Sequence, residues 1–323
     1  MELIRSRFRL NSEYTGLLIL SAFLIGFVIR IIIDPNLFSD EQKSPLLLIG
    51  FIALLLGVAY TGYSILKVPK IIIDQNFITF KSPFKTDSVS WNQIKSVSLT
   101  GKRDRGFMLD SAEVSTLHLK NGKEIIIWAS FYKNIAEIRT LLEKADTLLK
   151  ENKPVAGNIN LTFSNHYLNP SLSSHTSSSP FIKYAGNPHT SFNGMLFYFF
   201  AAFIISIPFT SAKPFSPIVL VLLTPILMMY LGLGHQLHYF LISEDALVVK
   251  NHFWFWKKHI YNLQEIREVV FEKPGRWSKS VRIITNDFRE KLYPAGSLRS
   301  KNWEELKLRF DELNTSVRNE VAF

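Results

Sequence analysis

Four long apolar stretches interrupt an otherwise polar chain, and they fall in two close pairs. The first runs from about Leu17 to Ile33 and the second from Pro45 to Leu66. The third lies within Ser191 to Thr210 and the fourth within Pro214 to Gly234. At 1.5 Å per helical residue each reaches across roughly 30 Å of hydrocarbon, the first only just. Arg30 stands near the end of the first stretch, where a long side chain extends to the headgroups. The sequence IRIIIDPN that follows offers no small-residue cleavage site, so the stretch does not read as a signal peptide. Pro225 in the fourth stretch is expected to kink it. On this pattern all four are expected to be membrane spans.

Flanking charge gives the expected orientation. Arg5, Arg7 and Arg9 precede the first stretch, Lys67 and Lys70 follow the second, and Lys250, Lys257 and Lys258 lie beyond the fourth. Positive residues collect on the cytoplasmic side. The expected location is therefore the plasma (inner) membrane, multi-pass, with both chain ends cytoplasmic.

After each pair of apolar stretches the period changes to that of short strands. Lys70 to Asp74 (KIIID), a Gln-Asn turn and Phe77 to Lys81 (FITFK) read as a hairpin, as do Phe240 to Ser243 and Ala246 to Lys250. Trp91 to Val97 (WNQIKSV) is answered by Leu263 to Val269 (LQEIREV). A second hairpin runs from Ser115 to Lys120 through Asn121-Gly122 to Glu124 to Trp128, and its counterpart from Ser280 to Thr285 through Asn286-Asp287 to Arg289 to Tyr293. Ile135, Ile138, Leu141 and Leu142 then form one stripe of an amphipathic helix. Trp303, Leu306, Leu308 and Phe310 do so less regularly. The whole pattern occurs twice, at an offset of roughly 165 to 172 residues, which marks an internal duplication.

The expected fold class is membrane α-helical plus α+β, in two copies. The first helix pair with its flank occupies 1–68, and the first β-rich domain 69–150. A Ser/Asn/Pro-rich linker, expected to be unfolded, covers 151–190. The second helix pair spans 191–239, the second β-rich domain 240–317, and a tail 318–323.

The order of paired span, strands, WNQIKSV-like segment, Asn-Gly hairpin and final helix resembles the membrane-anchored bacterial pleckstrin-homology-like domain family. The resemblance covers most of the chain outside the linker and is strongest over Ile71 to Leu142. It implies a seven-stranded bent sheet with a terminal helix in each copy, one strand of the first falling in Arg103 to Leu109. It transfers no catalytic residue. The first-hairpin turns, Asp74-Gln75-Asn76 and Ser243-Glu244-Asp245, are acidic or neutral, against the phosphoinositide binding of eukaryotic relatives.

Composition narrows the chemistry. Of 323 residues none is cysteine, which removes disulfides and thiolate sites. The formal charge of +10 has no nucleic-acid recognition motif beside it, so no nucleic-acid partner is expected. No P-loop, zinc-protease helix or nucleophile elbow is present, and no cofactor is expected. His235 and His238 have the spacing of a helical metal pair, yet read more simply as interfacial histidines. Two surfaces are singled out. In the loop GKRDRG, Lys102, Arg103 and Arg105 could hold anionic headgroups or an acidic partner. In HFWFWKK, read as a strand, Trp254 and Trp256 share one face beside Lys257 and Lys258 and are candidates for docking lipid or protein.

The function expected from these residues is a non-enzymatic integral membrane scaffold presenting two cytoplasmic domains. Its partners would be the lipid bilayer, a protein or a second copy of the chain, and anionic lipid headgroups. A small transporter or a transport-complex subunit is the alternative.

Overall fold

Short strands, the central ones buried on both faces, build both halves of the protein. The computed structural model describes residues 2–8, 66–104, 112–158, 179–210, 230, 232–274 and 278–321, with positions 49, 50, 52, 56, 59 and 63. The chain divides into two units, one comprising Met1–Arg103 with Ala112–Thr162 and the other Asp104–Ser111 with Phe163–Phe323.

In unit 1, β1 (Glu2–Arg5), β2 (Lys70–Asp74), β3 (Phe77–Lys81) and β4 (Thr86–Ser90) form an antiparallel sheet in that order. Ile71, Ile73, Ile78 and Phe80 alternate onto its buried face, as the two-residue period of a strand requires. The Asp74 carboxylate accepts from the backbone N–H of Asn76 and Phe77 at 2.8 and 2.7 Å, which bends the chain between β2 and β3. A 3-10 turn at Trp91–Gln93 carries the chain to the second sheet. There β5 (Ile94–Ser98) and β6 (Lys102–Arg103) pair with successive parts of β7 (Ala112–Leu119), and β8 (Glu124–Trp128) pairs with the same strand. Helix α1 (Ile135–Lys150) buries Ile138, Leu141, Leu142 and Ala145 completely. Both sheets and this helix share one core centred on Trp91, with Val155 added beyond the helix.

Unit 2 has the same plan. Strands β9 (Ile182–Tyr184), β10 (His238–Ile242), β11 (Ala246–Asn251) and β12 (Lys258–Asn262) form the first sheet, with helix α2 (Phe192–Thr210) between β9 and β10 in the chain. A 3-10 turn at Leu263–Glu265 leads to β13 (Ile266–Glu272), β14 (Ser280–Thr285) and β15 (Glu290–Pro294). Helix α3 (Ser300–Glu312) follows, and β16 (Val317–Asn319) pairs parallel to β13, so this sheet is mixed. Trp303, Leu306 and Phe310 from α3 complete the core against Phe240, Val249, Phe271 and Ile283.

The two units agree in register. Ile71 opposes Phe80 as Phe240 opposes Val249, and Ser115 opposes Ile127 as Val281 opposes Tyr293. The helices end alike too, with Asn152 and Asn314 both at φ 54° just past α1 and α3. A short polar side chain tolerates this left-handed conformation better than most.

The expected fold class is corrected here to α+β. Among the described residues no helix is long and apolar enough to cross a membrane. The first apolar stretch, with Arg30, lies outside the described residues, as does nearly all of the fourth, with Pro225. The second is described only at scattered positions. The third is α2, whose side chains are described only in part. Those that are described include Phe192, Met195, Phe199 and Phe203, all exposed. Two further differences concern strands. Ile182–Tyr184 lies in the stretch read as an unfolded linker, yet Tyr184 enters the core of unit 2. The strand expected in Arg103 to Leu109 is only the two-residue β6, and 105–111 lie outside the described residues.

Candidate functional site

The segment His252 to Lys257 is a turn rather than the strand that its alternating aromatic residues predict. Asn251 is the cause. Its buried side-chain oxygen accepts from the N–H of Phe253 and of Trp254, both at 2.9 Å, and its amide donates to the carbonyl of Gly234 at 2.8 Å. Lys257 N–H then closes the turn on the Trp254 carbonyl at 2.8 Å. Rings anchor the turn: Phe253 meets Phe197 of α2 edge-on at 5.6 Å and stacks on Tyr230 at 5.7 Å.

Within this turn the aromatic side chains divide by depth. Trp254 is buried, stacked on His235 at 5.6 Å and covered by the Lys257 ammonium, 3.9 Å from its ring centre. A cation in that position contributes roughly 0.5–2 kcal/mol. Phe255 and Trp256 instead project outward at 79% and 60% exposure, with their rings edge to face at 5.0 Å. The sequence grouped Trp254 with Trp256, whereas the turn groups Phe255 with Trp256.

Behind the turn, three strands bring basic groups to one place. His238 opens β10 and donates from Nδ1 to the Pro294 carbonyl at 2.9 Å. Burial holds its pKa down at about 4, so its ring is neutral at pH 7. His259 and Tyr261 on β12 face Lys291 and Tyr293 on β15. The Lys291 ammonium donates to His259 Nε2 at 2.9 Å, and the two tyrosine hydroxyls share a hydrogen bond. His235 lies edge-on to His238 at 5.6 Å. Burial first, then Lys257 and Lys291, lowers the pKa of both His235 and His259. Burial and Lys257 lower that of Lys291. The nearest acid along β15, Glu290, turns to the opposite face and meets Arg282 at 3.4 Å.

The register shows that unit 1 lacks this cluster. Its equivalents of His238, His259, Lys291 and Tyr293 are Pro69, Asp87, Ile125 and Ile127, and Asp87 is paired with Lys85 at 2.8 Å. Sequence reasoning did not bring His259 and Lys291 together, because they stand 32 residues apart on different strands.

The other singled-out residues do not join the cluster. Lys102 and Arg103 form β6 in unit 1, where Arg103 pairs with Glu124 at 2.7 Å. Arg105 lies outside the described residues. Lys258 begins β12 opposite Lys250, one residue out of phase with His259, and so points to the other face of the sheet. His235 occupies a turn and His238 a strand, not one helix. Among the described residues no three His, Cys, Asp or Glu side chains are placed to hold a metal ion.

No known protein family matches the chain, and no curated protein matches it. This removes the support for the resemblance to membrane-anchored pleckstrin-homology-like proteins. The integral membrane scaffold, the transporter alternative and the multi-pass location with cytoplasmic ends fall as well. They require spanning helices, and among the described residues no helix is long and apolar enough to cross a membrane.

Proposed function

We propose that the protein is a non-enzymatic binding protein that docks a protein partner on the aromatic turn of unit 2. One observation carries this reading: Phe255 and Trp256 are held out at 79% and 60% exposure by a turn whose backbone is fixed from beneath. Exposed aromatic side chains on a rigid support are the usual energetic centres of protein interfaces. Their ordering cost is met in the folded turn rather than on binding. Lys257 next to them in the turn and Lys291 within its electrostatic reach are both exposed, so the complementary surface is an apolar pocket with a negatively charged rim. Among the described residues the cluster's histidines meet a backbone carbonyl, a lysine and aromatic rings, which supports recognition over acid-base catalysis.

A photoreactive benzophenone side chain placed at position 255 of the full chain tests this, with the same group at Lys301 on α3 as control. The expected result is one discrete adduct with a different protein from position 255, absent from position 301 and strongly reduced by Trp256→Ala. Equal labelling from both positions, or an adduct consisting only of a second copy of the chain, sinks the reading.

A further inference from the structure

We propose that the basic cluster behind the aromatic turn of unit 2 is a binding site for a phosphate group, with Lys257, Lys291, His235 and His259 as its donors. The inference rests on the reading of this turn as a docking surface and adds the chemistry recognised there. Its floor is buried and already satisfied: His238 is bonded to the Pro294 carbonyl, and Tyr293 to Tyr261. Its rim is exposed or half-buried and carries two ammonium groups and two imidazoles.

Three observations make this more than a basic patch. Lys257 lies close enough to Lys291 to disfavour its charge, after burial, and both lysines act on His235 and His259 in the same sense. Like charges gathered without an anion cost free energy, which a bound anion returns. The Lys291 ammonium uses the His259 ring nitrogen as its acceptor, a poor substitute for an oxyanion. Finally, the His259–Lys291 pair is confined to one copy of a duplicated unit. Unit 1 keeps a lysine, Lys85, before its β4 as Lys257 stands before β12, but has Asp87 and Ile125 at the register positions of His259 and Lys291, so the shared fold does not demand that pair.

A doubly charged tetrahedral oxyanion suits the site better than a carboxylate. Two lysines supply two positive charges, and the four groups come from four segments: the turn before β10, the Trp254–Lys257 turn, β12 and β15. The phosphate can be free or borne by a residue of the docked partner.

The test uses the full chain with inorganic phosphate, added against chloride at constant ionic strength. Ring ¹⁵N signals of the histidines are followed by NMR. The expected result is saturable movement of the His235 and His259 signals at millimolar phosphate, with His118 of unit 1 unmoved. Lys257→Gln and Lys291→Gln, both at exposed positions, should each weaken binding about tenfold, the loss of one charge-assisted contact. Lys258→Gln, on the other face of β12, should leave it unchanged. A phosphoserine tripeptide that binds more tightly than phosphate identifies a partner-borne group, and equal binding identifies free phosphate. No saturable movement, or equal weakening by Lys258→Gln, overturns the proposal. Failure here with a Phe255 adduct still formed removes the phosphate site and leaves the docking surface standing. A lost adduct with phosphate still bound does the reverse.

Discussion

His238 shows how one side chain serves structure and limits it. Its Nδ1–H bond to the Pro294 carbonyl ties the start of β10 to the end of β15 and fixes the tautomer, leaving Nε2 without a proton. Burial favours the neutral ring, so the folded pKa lies at about 4 against 6.5 for an unburied histidine. The unfolded chain therefore binds a proton between those values while the folded chain does not. The stability contributed is complete above about pH 6.5 and is lost as the pH falls towards 4, by up to about 3 kcal/mol for this one buried group. His252, whose pKa is also lowered to about 4 by burial and by Lys183 and His189, acts in the same direction. Urea unfolding should show a midpoint that falls between pH 7 and pH 4.5, and a shallower fall in His238→Gln. An unchanged slope in that variant would exclude His238 as the origin.

At the scale of the element, β9 shows why some strands escape a reading of the sequence. It is three residues long, and its partner β10 begins more than fifty residues later, so neither length nor a connecting turn announces it. What holds it is close approach. A Cβ added at Gly186 would lie 1.5 Å from the carbonyl oxygen of Ser297, so only glycine lets the chain leave β9 against that backbone. Gly186→Ala should cost at least about 2 kcal/mol by displacing one segment or the other. Hydrogen exchange should then quicken at the β10 amides that face β9, and unchanged exchange would show that the backbone yields easily. The hairpins β2–β3 and β7–β8 and the buried stripe of α1 were legible because alternation, turn residues and helical spacing are local signals. The turn Asn121-Gly122 is an example, with Gly122 at φ 80° where the hairpin reverses. Its counterpart in unit 2 is Phe288 at φ 60°, a buried aromatic residue in a conformation glycine prefers, and no sequence rule anticipates it. The candidate site was half legible. Lys257, Lys258 and the tryptophans stand together in the chain, but the turn imposed by Asn251 and the meeting of His259 with Lys291 are products of the fold. Long apolar stretches misled in a different way: hydropathy measures a preference for leaving water and does not specify what replaces it.

The duplication sets the behaviour of the whole molecule. Each unit closes its own core, and the two cores share no residue. Trp91 centres the first, 1% exposed, with its indole N–H donating to the Asp74 carbonyl at 3.3 Å. Trp303 in α3 centres the second, 2% exposed and edge-on to Phe271 at 6.0 Å. Truncating a buried tryptophan leaves a cavity and costs about 3–5 kcal/mol, a large fraction of the stability of a domain this size. If each unit draws its stability from its own core, Trp91→Ala should unfold the first at lower urea and leave the second in place. Trp303→Ala should do the opposite. The phosphate response of His235 and His259 gives an independent signal for unit 2, and the ring signal of His118, beside Glu124, does so for unit 1. In Trp91→Ala the His118 signal should collapse at a urea concentration where phosphate still moves His259. A single transition in which both signals vanish together, in both variants, would show that the copies fold as one body, and the specialisation of unit 2 would then have to be read as a property of the pair.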